Sequence, residues 1–389
     1  MWSPALRPDP PSDMKHIAIV GGAIANKPFN GGAAWTRLSY VLGLRKLGFD
    51  VYFIEQLAEP PTEQVQTYFE SVMSTFGLTE RSALLNPRGT SISGLDHRVL
   101  DEIASSAAIL LNLSGHLALN RPTGSIPHKV YVDLDPGFTQ SWQGNGTGAA
   151  RLEGHDFFFS VGQNIGKPEC AIPSNGIQWR PLLQPVVLNH WPVAQSSAFG
   201  HFTTVASWRG PFGPVEVGDR TLGSKVREFR KYISLPGKVD ATFEIALDIH
   251  SGDRQDRNML LENGWLIADP KSVTACPSTF RDYVQGSMAE FSVAQEIYVQ
   301  TQSGWFSDRT VRYLASGKPA VVQDTGFRQN LPTGHGLIAF GSMEEAVAGV
   351  RAVIQNYQEH SKAARQIAET YFDSTVTLGK LIEDIGVCP

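Results

Sequence analysis

The chain alternates short, almost wholly apolar runs with longer amphipathic segments, and it does so in two successive series. Apolar runs of this length, bounded by turn residues, read as strands buried on both faces, which belong to parallel sheets covered by helices. The first series opens at residues 16–20 (HIAIV), stopped by Gly21 and Gly22. Residues 33–47 carry apolar positions at helical spacing, Gly48 ends the helix, and residues 51–54 (VYFI) form the next strand. Strand, glycine-rich turn, helix and strand make a βαβ unit. Further strands are expected at 107–113, 130–134 and 156–161, with helices at 63–76 and 97–105. Residues 179–191, rich in Pro, Leu and Trp, read as a connector.

The second series places strands at 202–207, 242–248, 265–268, 297–300 and 319–323. Helices are expected at 224–233, 257–263, 280–294 and 307–315, then at 343–357, 359–371 and 373–386. The fold class is therefore α/β, with two Rossmann-like, doubly wound parallel-sheet domains in tandem. The divisions are a proline-rich, disordered leader (1–14), a first domain (15–192), a second domain (193–370) and a C-terminal helix (371–389). A length of 389 residues suits two domains.

Composition narrows the partners. The net charge is −5, charged residues are 18% of the chain, and no long basic run appears, so nucleic acid is not an expected partner. Cys170, Cys276 and Cys388 are far apart and form no CxxC, which argues against a disulfide framework or a cysteine zinc site and suits the cytoplasm. No apolar stretch of membrane-spanning length is present.

Residues 303–327 (SGWFSDRTVRYLASGKPAVVQDTGF) are the most informative segment. A tight turn at Gly304 leads into a helix that Ser307 can cap, leaving the N–H groups of Asp308, Arg309 and Thr310 at its start. Such a helix start is an anion site, and a diphosphate fits it.

This segment resembles the donor-binding end of bacterial GT-B glycosyltransferases, the nucleotide-sugar-dependent enzymes of the family 1 and family 4 types. In that family a G-x-x-S-type turn opens a helix with a pattern like LEA-x-A-x-G-x-PVV, matched here from Tyr313 through Gly317 to Val322. The resemblance extends loosely over the C-terminal half and covers the N-terminal half by architecture. It implies a hexosyltransferase-type enzyme, as in natural product biosynthesis. The sugar would move from a nucleotide diphosphate sugar, such as a UDP-sugar, to a small-molecule acceptor. No metal or cofactor beyond that co-substrate is implied, and residues 373–386 would cross back to the first domain. The chain departs from the pattern at Arg312, which stands where a ribose-holding Glu is usual. Asp308, one turn earlier, either replaces that Glu or pairs with Arg312.

The resemblance also assigns residues. Gly304, Ser307, Asp308 and Arg309 would hold the diphosphate, with Arg209 and Lys225 as cationic helpers. Gln323, Asp324, Thr325 and Gly326, at the carboxyl end of a strand, would meet the donor sugar. Gly31 and Gly32 would line the cleft. Asp133, Asp135 and His116, also at strand ends, are candidate bases for the acceptor hydroxyl. Asp133 and Asp135 form a D-x-D, but Pro136 ends the strand, so a shared metal is not expected. Three other readings stand beside this one: a sugar-nucleotide epimerase, a non-catalytic sugar-nucleotide-binding protein, and a nicotinamide dehydrogenase. The dehydrogenase lacks a compact G-x-G-x-x-G and keeps only Glu55 at the end of the second strand.

Overall fold

The computed structural model describes residues 16–120, 123–146, 148–194, 200–210 and 212–387. The expected leader lies outside the described residues. Two sheets account for the two series. In the first, the strands Ser91–Gly94, Ser82–Leu85, Asp50–Gln56, Ile17–Gly21, Ala107–Leu113, His128–Asp133, Phe157–Ser160 and Arg180–Pro181 lie side by side in that order. All its pairs are parallel except Ser82–Leu85 with Ser91–Gly94. In the second, the order is Trp265–Ala268, Phe243–Asp248, Phe202–Ser207, Ala289–Ser292, Ala320–Gln323 and Leu337–Phe340, parallel throughout. Both are doubly wound, so the carboxyl ends of their central strands face a crevice.

Local chemistry sets the elements that matter for the site. The helix Gly31–Lys46 begins where the Asn30 side chain accepts from the Ala33 N–H at 2.9 Å. Arg45 and Lys46 sit in its last turn, and Gly48 turns the chain at φ 104°. The C-terminal helix Ser374–Ile385 packs on it at Gly43, where a Cβ would lie 2.6 Å from the Leu378 side chain. The chain also pairs with the entry to that helix, since Val186 N–H donates to Phe372 O at 2.8 Å and Ser374 N–H to Val186 O at 2.9 Å.

One apolar core runs through both units. It passes from Val20, Ile109 and Val130 through Trp35, Trp191 and Phe280 to Phe306, Val311, Leu314 and Val322. A second core of Phe202, Trp208, Phe229, Phe243, Trp265, Phe291 and Phe340 lies within the second sheet. Each large side chain so buried contributes about 1.5–3 kcal/mol of transfer free energy.

Several expected elements differ. Residues 297–300, read as a strand, belong to the short helix Glu296–Gln300. The helix expected over 280–294 is Pro277–Gly286, and Ala289–Ser292 is the central strand that follows it. Arg180–Pro181, inside the expected connector, is the edge strand of the first sheet. The helix at 224–233 is shorter, Lys225–Phe229, and passes into a 3-10 turn. Unforeseen were the strands Ser82–Leu85, Ser91–Gly94 and Leu337–Phe340, and the hairpin Val215–Val217 with Arg220–Leu222.

Gly31 is where the two units approach most tightly. A Cβ there would lie 2.1 Å from the Cys276 carbonyl oxygen, a backbone atom that cannot swing aside. Gly31→Ala is therefore expected to lower stability by about 1–3 kcal/mol through overpacking, read as a shift of the urea midpoint. An unchanged midpoint would contradict this packing.

Candidate active site

The turn at Gly304 is built by two loops stitched together. Gly304, at φ 71°, donates its N–H to Thr325 O at 2.7 Å, and the Thr325 hydroxyl donates to Trp305 O at 2.5 Å. Ser307 has the extended conformation of an N-cap, yet its side chain makes no capping bond to the helix Asp308–Ala315. The N–H groups of Asp308, Arg309 and Thr310 precede the first intrahelical bond, so this helix start presents uncapped donors. They border a narrow crevice whose walls include Ser292, Ala294, Ser307, Thr310 and Gln323. Trp305 stacks on Tyr298 with centroids 4.4 Å apart, and Phe306 stacks on Phe372 at 5.3 Å, so both rings serve packing.

The expected cations divide. Lys225 is buried, and its ammonium donates to Val293 O at 2.6 Å, beside the strand end that carries Ser292. Burial, and then the charge of Arg309, bring its pKa down to about 7. The Arg309 guanidinium points into the sheet, donating to Glu290 at 2.7 Å, Val205 O at 2.7 Å and the Ser292 hydroxyl at 2.6 Å. The Arg309 side chain is thus engaged by the sheet, and its backbone N–H is one of the three at the helix start. Arg209 forms an exposed ion pair with Asp253, its Nε 2.9 Å from the carboxylate, and does not line the crevice.

The residues expected at the donor sugar also shape the loop. Gln323 lines the crevice, accepting from Ala294 N–H at 3.1 Å and donating to Glu228 at 2.7 Å. Asp324 pairs with Arg328 at 2.6 Å and accepts from Gly326 N–H at 3.0 Å. Gly326, at φ 91°, permits the turn. Of the two options for Asp308, the structure shows the pairing: its carboxylate accepts from Arg312 at 2.7 Å and from the Thr36 hydroxyl at 2.6 Å. Burial works to raise the Asp308 pKa, but Arg312, the Thr36 bond and the charges of Arg309 and Arg37 hold it below the usual carboxylate range.

A latch unforeseen in the sequence joins the units at Gly304. The buried Asn164 donates its backbone N–H to Ser303 O at 3.0 Å and its side-chain amide to Gln302 O and Gly326 O, both at 3.1 Å. Its side-chain oxygen accepts from Asn330 at 2.9 Å and Lys167 at 3.0 Å. A Cβ at Gly304 would lie 2.8 Å from Asn164 Cγ, so the close approach this glycine permits is by Asn164. Gly31 and Gly32 likewise serve contact between the units, since a Cβ on Gly32 would meet Phe280 at 3.2 Å.

On the first sheet, the carboxylates separate by burial. Glu55 is fully buried and accepts the N–H groups of Ile24 at 2.7 Å, Ala25 at 2.8 Å and Asn26 at 2.6 Å. An acid so engaged holds its own loop, with three of its roughly four acceptor sites taken by backbone N–H groups. Asp133 is fully buried too. It accepts from Thr139 at 2.6 Å, Gln140 at 3.0 Å, Ser160 at 2.7 Å and Asp135 N–H at 3.0 Å. Asp135 is half-buried, and its carboxylate has no hydrogen-bond partner among the described residues. The two acids of the D-x-D therefore have different surroundings, and no cluster of three or more metal-ligating side chains occurs among the described residues. His116 is half-buried, and burial followed by the charges of Arg37, Lys27 and Arg151 brings its pKa down to about 3. Its imidazole is neutral at physiological pH.

Asp133→Ala would strand three side-chain donors and one N–H in a dry core. It is expected to cost about 3 kcal/mol or more, whereas Asp135→Ala should stay within about 0.5 kcal/mol of the parent. Urea unfolding of the two variants checks this, and equal losses would refute the distinction.

No protein-family model matches the chain, and no curated protein matches it in sequence. Solved structures match it in fold. An alpha-glucosyltransferase in complex with UDP and a 13-mer DNA containing a HMU base superposes with a TM-score of 0.62 at 12% identity, over 96% of this chain and 100% of that one. HepE from Anabaena in complex with UDP-glucose does so at 0.55 and 12%, over 96% and 99%. Sucrose-phosphate synthase from Thermosynechococcus elongatus reaches 0.54 at 10%, over 96% and 99%. Identities this low establish shared architecture and leave the chemistry to the site itself. The chain has the two-sheet fold of the GT-B glycosyltransferases.

Proposed function

We propose that the protein is a glycosyltransferase that moves a sugar from a nucleotide diphosphate sugar to a hydroxyl of a small-molecule acceptor without a metal. The observation that carries this reading is the uncapped helix start at Asp308, open to a crevice with Lys225 buried near its wall. Fixed N–H dipoles and a desolvated ammonium suit the charge that builds on a departing diphosphate. Of the solved proteins of the same fold, one is an alpha-glucosyltransferase in complex with UDP, one is a sucrose-phosphate synthase, and HepE is in complex with UDP-glucose, so uridine nucleotides are the first donors to test.

The acceptor would lie over the first sheet. Asp135, with no hydrogen-bond partner on its carboxylate among the described residues, takes the hydroxyl proton as the acceptor oxygen bonds to the anomeric carbon. The bond from that carbon to the diphosphate oxygen breaks, and its electron pair leaves with the nucleotide. A single base of this kind gives inversion. Neutral His116 is suited to hold a sugar hydroxyl. No helix is long and apolar enough to cross a membrane among the described residues, and the three separated cysteines suit a cytoplasmic setting. The low charge content favours a small acceptor over the DNA seen with one structural neighbour.

Thermal-shift titration with a panel of nucleotide diphosphate sugars, with and without EDTA, tests the donor assignment. Ligand at 100 times its Kd should add about 2.7 kcal/mol of stability, unchanged by EDTA. A shift with nicotinamide nucleotides alone would refute the reading. Asp135→Asn should then lower kcat about 10²–10⁴-fold with donor affinity retained.

Lys225 adds a pH signature. A diphosphate favours its ammonium form, so donor affinity should fall as pH rises above about 7, by up to about tenfold per unit. UDP-glucose, whose diphosphate keeps a constant charge across this range, isolates the effect in calorimetry, and Lys225→Met should flatten it. Without ligand the sign reverses. The free protein gains stability as pH rises from about 7 toward 10.5, where the unfolded lysine still holds the proton that the folded one has lost.

A further inference from the structure

We infer that the acceptor carries an anionic group, a phosphate or a carboxylate, and that Lys27, Arg37 and Arg151 hold it in the crevice of the first sheet. This rests on the glycosyltransferase reading and names the substrate class of its acceptor side.

Topology brings the three together. Ile17–Gly21 and Ala107–Leu113 are neighbours in the first sheet, and the chain leaves them toward opposite edges. That is the switch point at which open α/β sheets bind ligands, beyond the carboxyl ends of the strands. Lys27 stands in the loop after Ile17–Gly21. Arg37 reaches in from the helix Gly31–Lys46, its stem packed so closely on the turn that a Cβ at Gly22 would lie 2.9 Å from its Cγ. Arg151 comes from the far side and packs on Gly115, where a Cβ would lie 3.0 Å from its own. His116 and Asp135 stand between them at the ends of the next two strands.

Among the described residues no ion pair engages Lys27, Arg37 or Arg151. Three carboxylates are committed elsewhere: Glu55 to three loop amides, Asp133 to its own turn and Asp308 to Arg312 and Thr36. Asp135 and Asp308 both act on Lys27 and Arg37 across the intervening space, and Glu55 acts on Arg37. The strongest influence on the Lys27 ammonium is repulsion from Arg37, and His116 is kept neutral partly by all three cations. Arg37 is 5% exposed, and its Nε is buried with no partner among the described residues. An unpaired guanidinium N–H away from water costs free energy that an oxyanion recovers. The diphosphate of the donor has separate partners on the second sheet, so the cations of the first sheet are available to the acceptor.

The test uses the full chain at low ionic strength with UDP saturating, so that added anions cannot occupy the diphosphate site. Calorimetric titrations use inorganic phosphate and, separately, acetate, which distinguishes a phosphate-bearing from a carboxylate-bearing acceptor. At least one anion should bind, and Lys27→Met or Arg151→Met should weaken it by about tenfold or more, with UDP-glucose affinity within about twofold of the parent. Both side chains reach solvent, and a circular dichroism melt verifies that each variant folds. Failure of both anions to bind would overturn the inference, as would anion binding indifferent to the substitutions. Loss of UDP-glucose affinity in the same variants would assign these cations to the donor and overturn it as well. If UDP itself does not bind, the donor reading fails, and phosphate titration of the nucleotide-free protein still tests the crevice through the same variants.

Discussion

The Asp308 carboxylate ties the molecule together. It stands at the start of the helix that borders the crevice of the second sheet, and it accepts from Arg312 on its own helix and from Thr36 on the helix Gly31–Lys46 of the other unit. Arg312, almost wholly buried, lies over the Trp191 ring at 5.8 Å, where the chain leaves the first sheet. A charge in this setting is tolerable only while it is paired and hydrogen-bonded, so docking of the two units and placement of the helix start depend on one another. The common apolar core through Trp35, Trp191 and Phe306 completes the joint.

Around this joint the acids fall into two kinds. Glu55 and Asp133 each accept three or more hydrogen bonds in a dry setting and shape loops. Asp135, two residues beyond Asp133, is left half-buried, with no hydrogen bond to its carboxylate among the described residues. A bonded acid and an unbonded one are thus two outcomes of one D-x-D, decided by where the strand ends. Pro136 ends it.

The architecture was legible because apolar runs stopped by glycine or polar residues are a physical requirement of buried parallel strands, as at His128–Asp133 and Ala320–Gln323. Ser307 as the start of a helix was legible for the same kind of reason. The misread stretches are short. Glu296–Gln300 is five residues of mixed β-branched and aromatic character that fit helix or strand equally, and Arg180–Pro181 is a strand by virtue of its neighbour alone. The partners of the site residues were not legible, because they lie far off in sequence. Arg309 turns to Glu290 and Arg209 to Asp253, and nothing in the local pattern distinguishes those engagements from a free cation. Lys27 and Arg37 left a faint signal, a lysine before the Asn30 cap and a lone arginine on an otherwise apolar face.

The Asn164 junction has a mechanical meaning. One side chain closes bonds to Gln302, Gly326, Asn330 and Lys167, and its backbone closes another to Ser303. Rotating this one amide breaks its whole side-chain set together. The Asn164 amide is therefore a shared hub, and to swing it is to let go of all four side-chain partners at once.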